Sequence, residues 1–180
     1  MCYNTHMFDS EIVLLVQQIF IASEIGEWMA IALARVWIFL FFPVLAWLWA
    51  YGSTIERHGV KEALWSLGLG IFGSEFISML VMRERPFLAI QEVLTLVPVP
   101  ITTSFPSTHT TSAIALTAAL YFVNKTAGRI GLLITLGVII GRIAVGVHYP
   151  TDILGGIALG LLSFALVRLG HKAVRKPIKN

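Results

Sequence analysis

The sequence predicts an all-α integral membrane bundle of about six transmembrane helices, forming a single domain over residues 1–180. Three observations carry this. The chain is 57% hydrophobic and 13% charged, with a mean hydropathy of +0.82, whereas soluble domains are about half apolar and about a quarter charged. Apolar runs of near-membrane length recur along it, and the loops between them are too short for a second domain. Basic residues gather on alternate loops.

A spanning helix needs roughly 20 mostly apolar residues. The first segment, Ile12–Ile25, is short and carries Gln17, Gln18 and Glu24. It fits a short or tilted span, with an amphipathic helix in the interface as the alternative. Trp28–Tyr51 and Ala63–Met82 are long enough alone. Thr110–Val123 reaches full length only with its polar start, Ser107–Thr110, and Ala127–Val147 and Ile153–Leu169 complete the set. The opening residues MCYNTHMFDSE contain no Lys or Arg, unlike a cleavable signal peptide, so the amino terminus is expected to be retained.

Lys and Arg concentrate on the cytoplasmic side of a membrane protein. Arg57 and Lys61 follow the second segment, Lys125 and Arg129 the fourth, and Arg168, Lys172, Arg175, Lys176 and Lys179 the sixth. Six spans would put all of these on one side, with both termini cytoplasmic. The loops after segments three and five then face outward. The sequence pI near 9.2 does not indicate nucleic acid, because the bases are scattered among apolar runs and form no basic face. A single cysteine, Cys2, excludes an internal disulfide and a cysteine-rich metal site.

The outward-facing polar residues fall into three motifs: RERP (Arg83–Pro86), PSTH (Pro106–His109) and GRIAVGVHYPTD (Gly141–Asp152). In PSTH, Pro106 suits the first turn of a helix. The hydroxyls of Ser107, Thr108 and Thr110 accompany first-turn N–H groups that have no intrahelical acceptor. Such an end attracts an anion, and an ordinary N-cap is the alternative reading. In the third motif, Arg142 lies near the outer end of a span, where a charge is costly and signals function. Asp152 can accept a hydrogen bond from one ring nitrogen of His148, leaving the other nucleophilic.

Together these motifs resemble the type 2 phosphatidic acid phosphatase superfamily, which also contains vanadium haloperoxidases. Its pattern is a Lys followed after six residues by Arg-Pro, then Pro-Ser-Gly-His, then Ser-Arg with His and Asp downstream. Here Thr108 replaces the Gly, Gly141 replaces the Ser, and the Lys position falls on Ser78. The resemblance covers Ser78–Gly156. It implies that His148 attacks phosphorus with support from Asp152, and that His109 protonates the leaving oxygen and later activates water. Arg85, Arg142, Ser107 and the backbone at Thr108 would hold the phosphoryl oxygens. Phosphoryl transfer is mostly positioning and charge stabilisation, which arginines can supply without deprotonating. No cofactor or metal is therefore expected. Within the superfamily the resemblance is strongest to undecaprenyl pyrophosphate phosphatases. Phosphatidylglycerophosphate, phosphatidate and lipid A 1-phosphate are alternative substrates, and a non-catalytic lipid-binding or transport protein is the alternative of another class.

Ser78 is too short to stand in for the family lysine. Arg35, seven residues below Trp28, shares its depth and is the expected replacement cation; an Arg35–Glu75 pair and Arg83 are the alternatives. The loop Phe87–Phe105 is too apolar for a solvated loop, and either lies in the interface beside the site or packs on the bundle. The pairs Gly137/Gly141 and Gly156/Gly160 suit close helix packing, with dimerisation as the other use; the sequence leaves the oligomeric state open. The five tryptophans read as interfacial or packing aromatics, and the tail Lys172–Lys179 as a partner of anionic head groups. His6, His58 and His171 lie in predicted cytoplasmic regions.

This topology is checked by thiol labelling in intact cells. A membrane-impermeant reagent should modify a cysteine placed at Thr103 but not one at Lys172; the reverse pattern overturns the sidedness.

Overall fold

The computed structural model describes residues 3–98 and 103–174. Residues 99–102 of the Phe87–Phe105 loop and the tail beyond residue 174 lie outside the described residues. Eight α-helices run in order: α1 (Tyr3–Ile21), α2 (Glu24–Arg35), α3 (Phe41–Tyr51), α4 (Thr54–Val81), α5 (Pro86–Ala89), α6 (Thr108–Val123), α7 (Lys125–Ala144) and α8 (Pro150–Val174). No strand occurs among the described residues. By length and composition three helical stretches can cross a membrane: Thr54–Ala89, Lys125–Ala144 and Pro150–Lys172. The bent pair Glu24–Arg35 and Trp37–Tyr51 makes a fourth if it is one span. The expected six spans are therefore not reached on this measure. The 16 residues of α6 rise about 24 Å, short of a hydrocarbon core of about 30 Å, and α1 carries Asp9, Glu11, Gln17 and Gln18.

The second predicted segment is not one helix. It bends by 55° after α2 and continues through a 3₁₀ turn, Trp37–Leu40, into α3. Pro43 explains the break. It lacks an N–H, and its ring would meet the carbonyl of residue 39 in a continuous helix. The 3₁₀ turn, with Phe39 N–H bonded to Val36 O, lets Pro43 fall in the first turn of α3.

The other ends are set by capping. Ser53 and Glu56 form a reciprocal capping box at the start of α4. Asn124 ends α6 and caps α7, accepting from Ala127 N–H at 2.9 Å, while its side chain donates to Glu56 Oε1 at 2.6 Å. This fixes α6 and α7 as a tight antiparallel hairpin beside the start of α4. At the other end of α4, Met82 is left-handed (φ 49°). That conformation costs a non-glycine residue roughly 1–2 kcal/mol, and it turns Arg83 and Arg85 back across the bundle.

Helix α6 is the centre, enclosed by α4, α7 and α8. The main core joins Phe41, Leu45 and Leu48 of α3 and Val60 and Ala63 of α4 to Ala113, Leu116 and Leu120 of α6 and Ile134 and Val138 of α7. Large apolar side chains such as Trp65, Phe72, Met79, Leu133 and Leu154 point outward. Lipid gives no hydrophobic force between helices, so small residues and close backbone approach must hold them together. Both glycine pairs do this within the chain. Gly156 and Gly160 of α8 lie against Ser107–Thr111 of α6, and Gly141 and Gly137 of α7 against Ala34 and Trp37.

A β-carbon at position 160 would come within 2.6 Å of Thr111 O, whereas one at Gly73 meets only Leu159 methyls, from 3.4 Å. Gly160→Ala should therefore force α8 off α6, lowering stability in detergent by about 1–3 kcal/mol, with Gly73→Ala near wild type. Equal melting temperatures for the two variants would contradict this packing.

Candidate active site

The polar ends of α4, α6, α7 and α8 meet around one imidazole. His148 lies in the turn Val145–Tyr149 between α7 and α8, every residue of which is buried. Gly146, at φ +75°, lets the turn pass under Leu94 O. The apolar loop after α5 covers this turn. Leu96 N–H bonds to Val145 O, and Gln17 of α1 bonds to Leu94 O, Leu94 N–H and Ala144 O. For its described part, packing on the bundle is thus the reading that holds.

The imidazole has a defined tautomer. Its Nδ1 lies 2.8 Å from Ser104 O, and a carbonyl can only accept, so Nδ1 carries the hydrogen. Asp152 Oδ2 stands 3.5 Å from the same nitrogen. The expected aspartate contact is therefore present as a longer ion-pair contact, while the direct hydrogen bond goes to the Ser104 backbone. Nε2 is left with its lone pair, facing Arg85 Nη1 and Arg142 Nη2 at 3.4 Å each. Arg85 is further fixed by Val147 O at 2.9 Å, and Arg142 by Ala34 O at 3.4 Å. Arg142 Nε is buried without a hydrogen-bond partner among the described residues, which leaves a donor for an anion seated here.

A helix starts at PSTH as expected, but at Thr108, so Pro106 precedes the helix instead of standing in its first turn. Ser107 is the N-cap of α6, accepting from Thr110 N–H and from Thr110 Oγ1. Both acceptor contacts are made within the cap, so what Ser107 can offer an oxyanion is its hydroxyl hydrogen. Its backbone N–H donates to Asp152 O at 3.2 Å, joining the second and third motifs. The side chain of Thr108 turns to α4, pairing with Ser74 Oγ at 2.8 Å and donating to Glu75 Oε1 at 3.2 Å. Its part in anion binding is thus confined to the backbone N–H that, with that of His109, precedes the intrahelical ladder. His109 stands in the field of Arg142, His148 and Arg85.

Arg35 is not brought to this cluster. It ends α2 at the bend and is exposed. The alternative Arg35–Glu75 pair is likewise not formed among the described residues, Glu75 being met by Thr108. The lysine position is occupied by a hydroxyl pair, since Ser78 Oγ bonds to Thr103 Oγ1. Sequence reasoning also missed two participants. The Ser104 carbonyl carries no sequence signal. Asp9 precedes the predicted first segment and so raised no question in the sequence; in the structure it is buried and paired with Arg83 at 2.8 Å.

A buried imidazole whose free nitrogen faces two guanidinium groups, in an all-helical apolar bundle, defines an anion-handling membrane protein. The chain belongs to the PAP2 superfamily, whose model matches residues 59–176. It is 36% identical over 121 residues to undecaprenyl-diphosphatase BcrC of Bacillus subtilis, an alignment covering 66% of this chain and 61% of that protein. The chain thus spans about three fifths of the length of that relative. Aquifex aeolicus LpxE has the same fold, with a TM-score of 0.72 and 20% identity over 90% of this chain and 95% of that one. So does a transmembrane PAP2-type phosphatidylglycerolphosphate phosphatase from Bacillus subtilis, with a TM-score of 0.69 and 21% identity over 98% and 90%.

Burial pushes the His148 imidazole down to about 4; the Asp152 carboxylate beside Nδ1 opposes this, and the Arg142 and Arg85 charges add to it. Unfolded, the ring would titrate near 6.5. Its contribution to stability is therefore fully present above about pH 6.5 and lost as pH falls toward 4, because the unfolded ring takes up a proton that the folded one refuses. NMR titration of the ring in the detergent-solubilised protein should give a midpoint well below 6; a midpoint at or above 6.5 contradicts the buried neutral state.

Proposed function

We propose that this chain is a membrane lipid phosphatase acting through a phosphohistidine, with its site on the outward face and undecaprenyl pyrophosphate as substrate. One observation carries the reading: His148 Nε2, unprotonated, lies within 3.4 Å of both Arg85 and Arg142. A phosphoryl group drawn in by the two guanidiniums would meet that lone pair directly. Nε2 would attack phosphorus as the bond to the leaving oxygen breaks, and His109 would give that oxygen its proton. The resulting N-phosphoimidazolium, with its hydrogen still on Nδ1, would be stabilised by Ser104 O and Asp152. Water would then attack phosphorus while His109 takes its proton, and the P–N electron pair would return to Nε2, freeing phosphate.

The lipid class is supported by the apolar exterior of the helices flanking the site and by the hydrophobic loop beside it. A pyrophosphate substrate is favoured by the relation to BcrC, whose name assigns it an undecaprenyl diphosphate. An outward site is supported by the positive charges gathered at the opposite end of the bundle.

Phosphate release from a panel of lipid phosphates and pyrophosphates tests the proposal. Polyprenyl pyrophosphate should be turned over fastest. Activity should survive EDTA, since two arginines supply the positive charge, and vanadate should inhibit. His148→Ala should abolish turnover of every substrate, whereas His109→Ala should spare nitrophenyl phosphate, whose leaving group hardly needs a proton. Equal losses across leaving groups would reject this division of roles, and loss with EDTA restored by Mg²⁺ would reject the mechanism.

A further inference from the structure

Asp152 is wholly buried, and a buried carboxylate is costly unless it is paired. Its two oxygens are used differently. Oδ2 accepts from Tyr149 N–H at 2.8 Å and faces His148 Nδ1, while Oδ1 accepts from Arg83 Nη1 at 2.7 Å. Arg83 does not stop there. Its Nη2 donates to Asp9 Oδ2 on α1 at 2.8 Å, Nη1 also donates to Thr151 Oγ1 at 2.6 Å, and the guanidinium lies 4.0 Å over the Tyr149 ring. Asp9 closes the ring, accepting from Thr151 N–H and Oγ1 in the first turn of α8. One guanidinium thus bridges two carboxylates 143 positions apart, from Asp9 to Asp152, and the planar fork of arginine fixes the directions of both contacts where the point charge of a lysine would not.

Anchoring α1 does not require this arrangement. Gln17 already ties α1 to Leu94 and Ala144, and Val13 packs with Val93 and Tyr149. Buried ion pairs are moreover poor stabilisers, since desolvation offsets most of the attraction. The network instead ends on the carboxylate beside the proposed nucleophile.

We propose that Asp9 and Arg83 are positioning residues for the phosphoryl transfer, fixing the direction and the charge of Asp152 and through it the protonation of His148. This rests on the phosphohistidine reading above. Arg83 holds Oδ1, so the carboxylate presents Oδ2 to the ring, and it neutralises enough of the negative charge that Asp152 does not draw a second proton onto His148. Asp9 shares Arg83 and so limits that neutralisation. The charged and titratable groups facing His148 are Arg85 after α4, His109 on α6, Arg142 on α7 and Asp152 on α8, with Arg83 and Asp9 behind Asp152.

The two residues have opposite signs, and this separates positioning from scaffolding. In Arg83→Gln, Asp152 acts on His148 unopposed, the ring holds a proton more readily, and the acidic limb of kcat/KM moves to higher pH. In Asp9→Asn, Arg83 turns wholly to Asp152, and the limb stays or moves lower. The full chain in detergent is measured two ways: turnover, and NMR titration of the His148 ring, assigned by its loss in His148→Gln. Arg83→Gln should lower kcat roughly tenfold or more with little change in KM, as misplacement of a reacting group does, and raise the His148 midpoint. Arg83→Lys should recover part of kcat, and Glu11→Gln, an exposed acid on the same helix, should match wild type. If both variants fold and keep wild-type kcat and midpoint, or if both midpoints move the same way, the proposal is overturned. Should Arg83→Gln fail to fold, Asp9→Asn decides: lowered kcat with a midpoint at or below that of the wild type supports the proposal, and a raised midpoint or an unchanged kcat overturns it. The titrations read this proposal without substrate, so a wild-type protein inactive on the whole panel would sink the phosphatase reading separately.

Discussion

The site depends on one hydrogen bond, from His148 Nδ1–H to the Ser104 carbonyl. An imidazole set between two guanidiniums can offer a lone pair only if its hydrogen is held on the other nitrogen. A carbonyl does this without adding charge, which an aspartate at the same distance could not. The position of Ser104 is fixed in turn by Arg83 O and Glu84 O, which accept from its N–H and its hydroxyl. The first motif therefore aims the His148 ring through its backbone while its side chain Arg85 faces the same ring.

Charge is concentrated at both ends of the bundle. Away from the active site, Glu62 of α4 is paired with Arg168 and His171 of α8, and Arg168 also covers the Phe122 ring. Between the two polar ends α4, α6 and α8 touch through glycine, alanine, serine and threonine. In lipid, where burying apolar surface gains little, polar locks at the ends and close backbone contact in the middle are what hold helices in register. Register matters here because each of four helices delivers only one or two groups to the site.

Much of this was legible in the sequence. The all-helical class followed from composition, and the three motifs converge as their common sidedness required. The approach of Asp152 to His148 followed from local spacing, whereas the N-cap at Ser107 did not, since the same spacing put Pro106 in the first turn. What was not legible is non-local or backbone-borne. Depth counted from Trp28 to Arg35 runs along one real helix, α2, but depth does not give direction: Arg35 stands at the last turn before the bend and its side chain is exposed rather than turned to the site. Asp9 was overlooked because its partners lie far along the chain, and Ser104 acts through an atom common to every residue. Glycine pairs announced close packing without saying whether the partner was another helix of this chain or a second copy.

The turn joining α7 to α8 has a wider consequence. From Gly141 to Tyr149 every residue is buried, and within that stretch stand Arg142 and the proposed nucleophile, His148, six positions apart. Inserting or removing one residue would rotate whatever follows by about 100° in a helix, and the sealed turn has no slack to absorb it. The interval between Arg142 and His148 therefore works as a fixed gauge. Residue types around it can vary, but its length cannot. On the proposed function, a change of substrate has to enter through parts of the chain that do not set this interval, namely the loop after α5 and the outer faces of the helices.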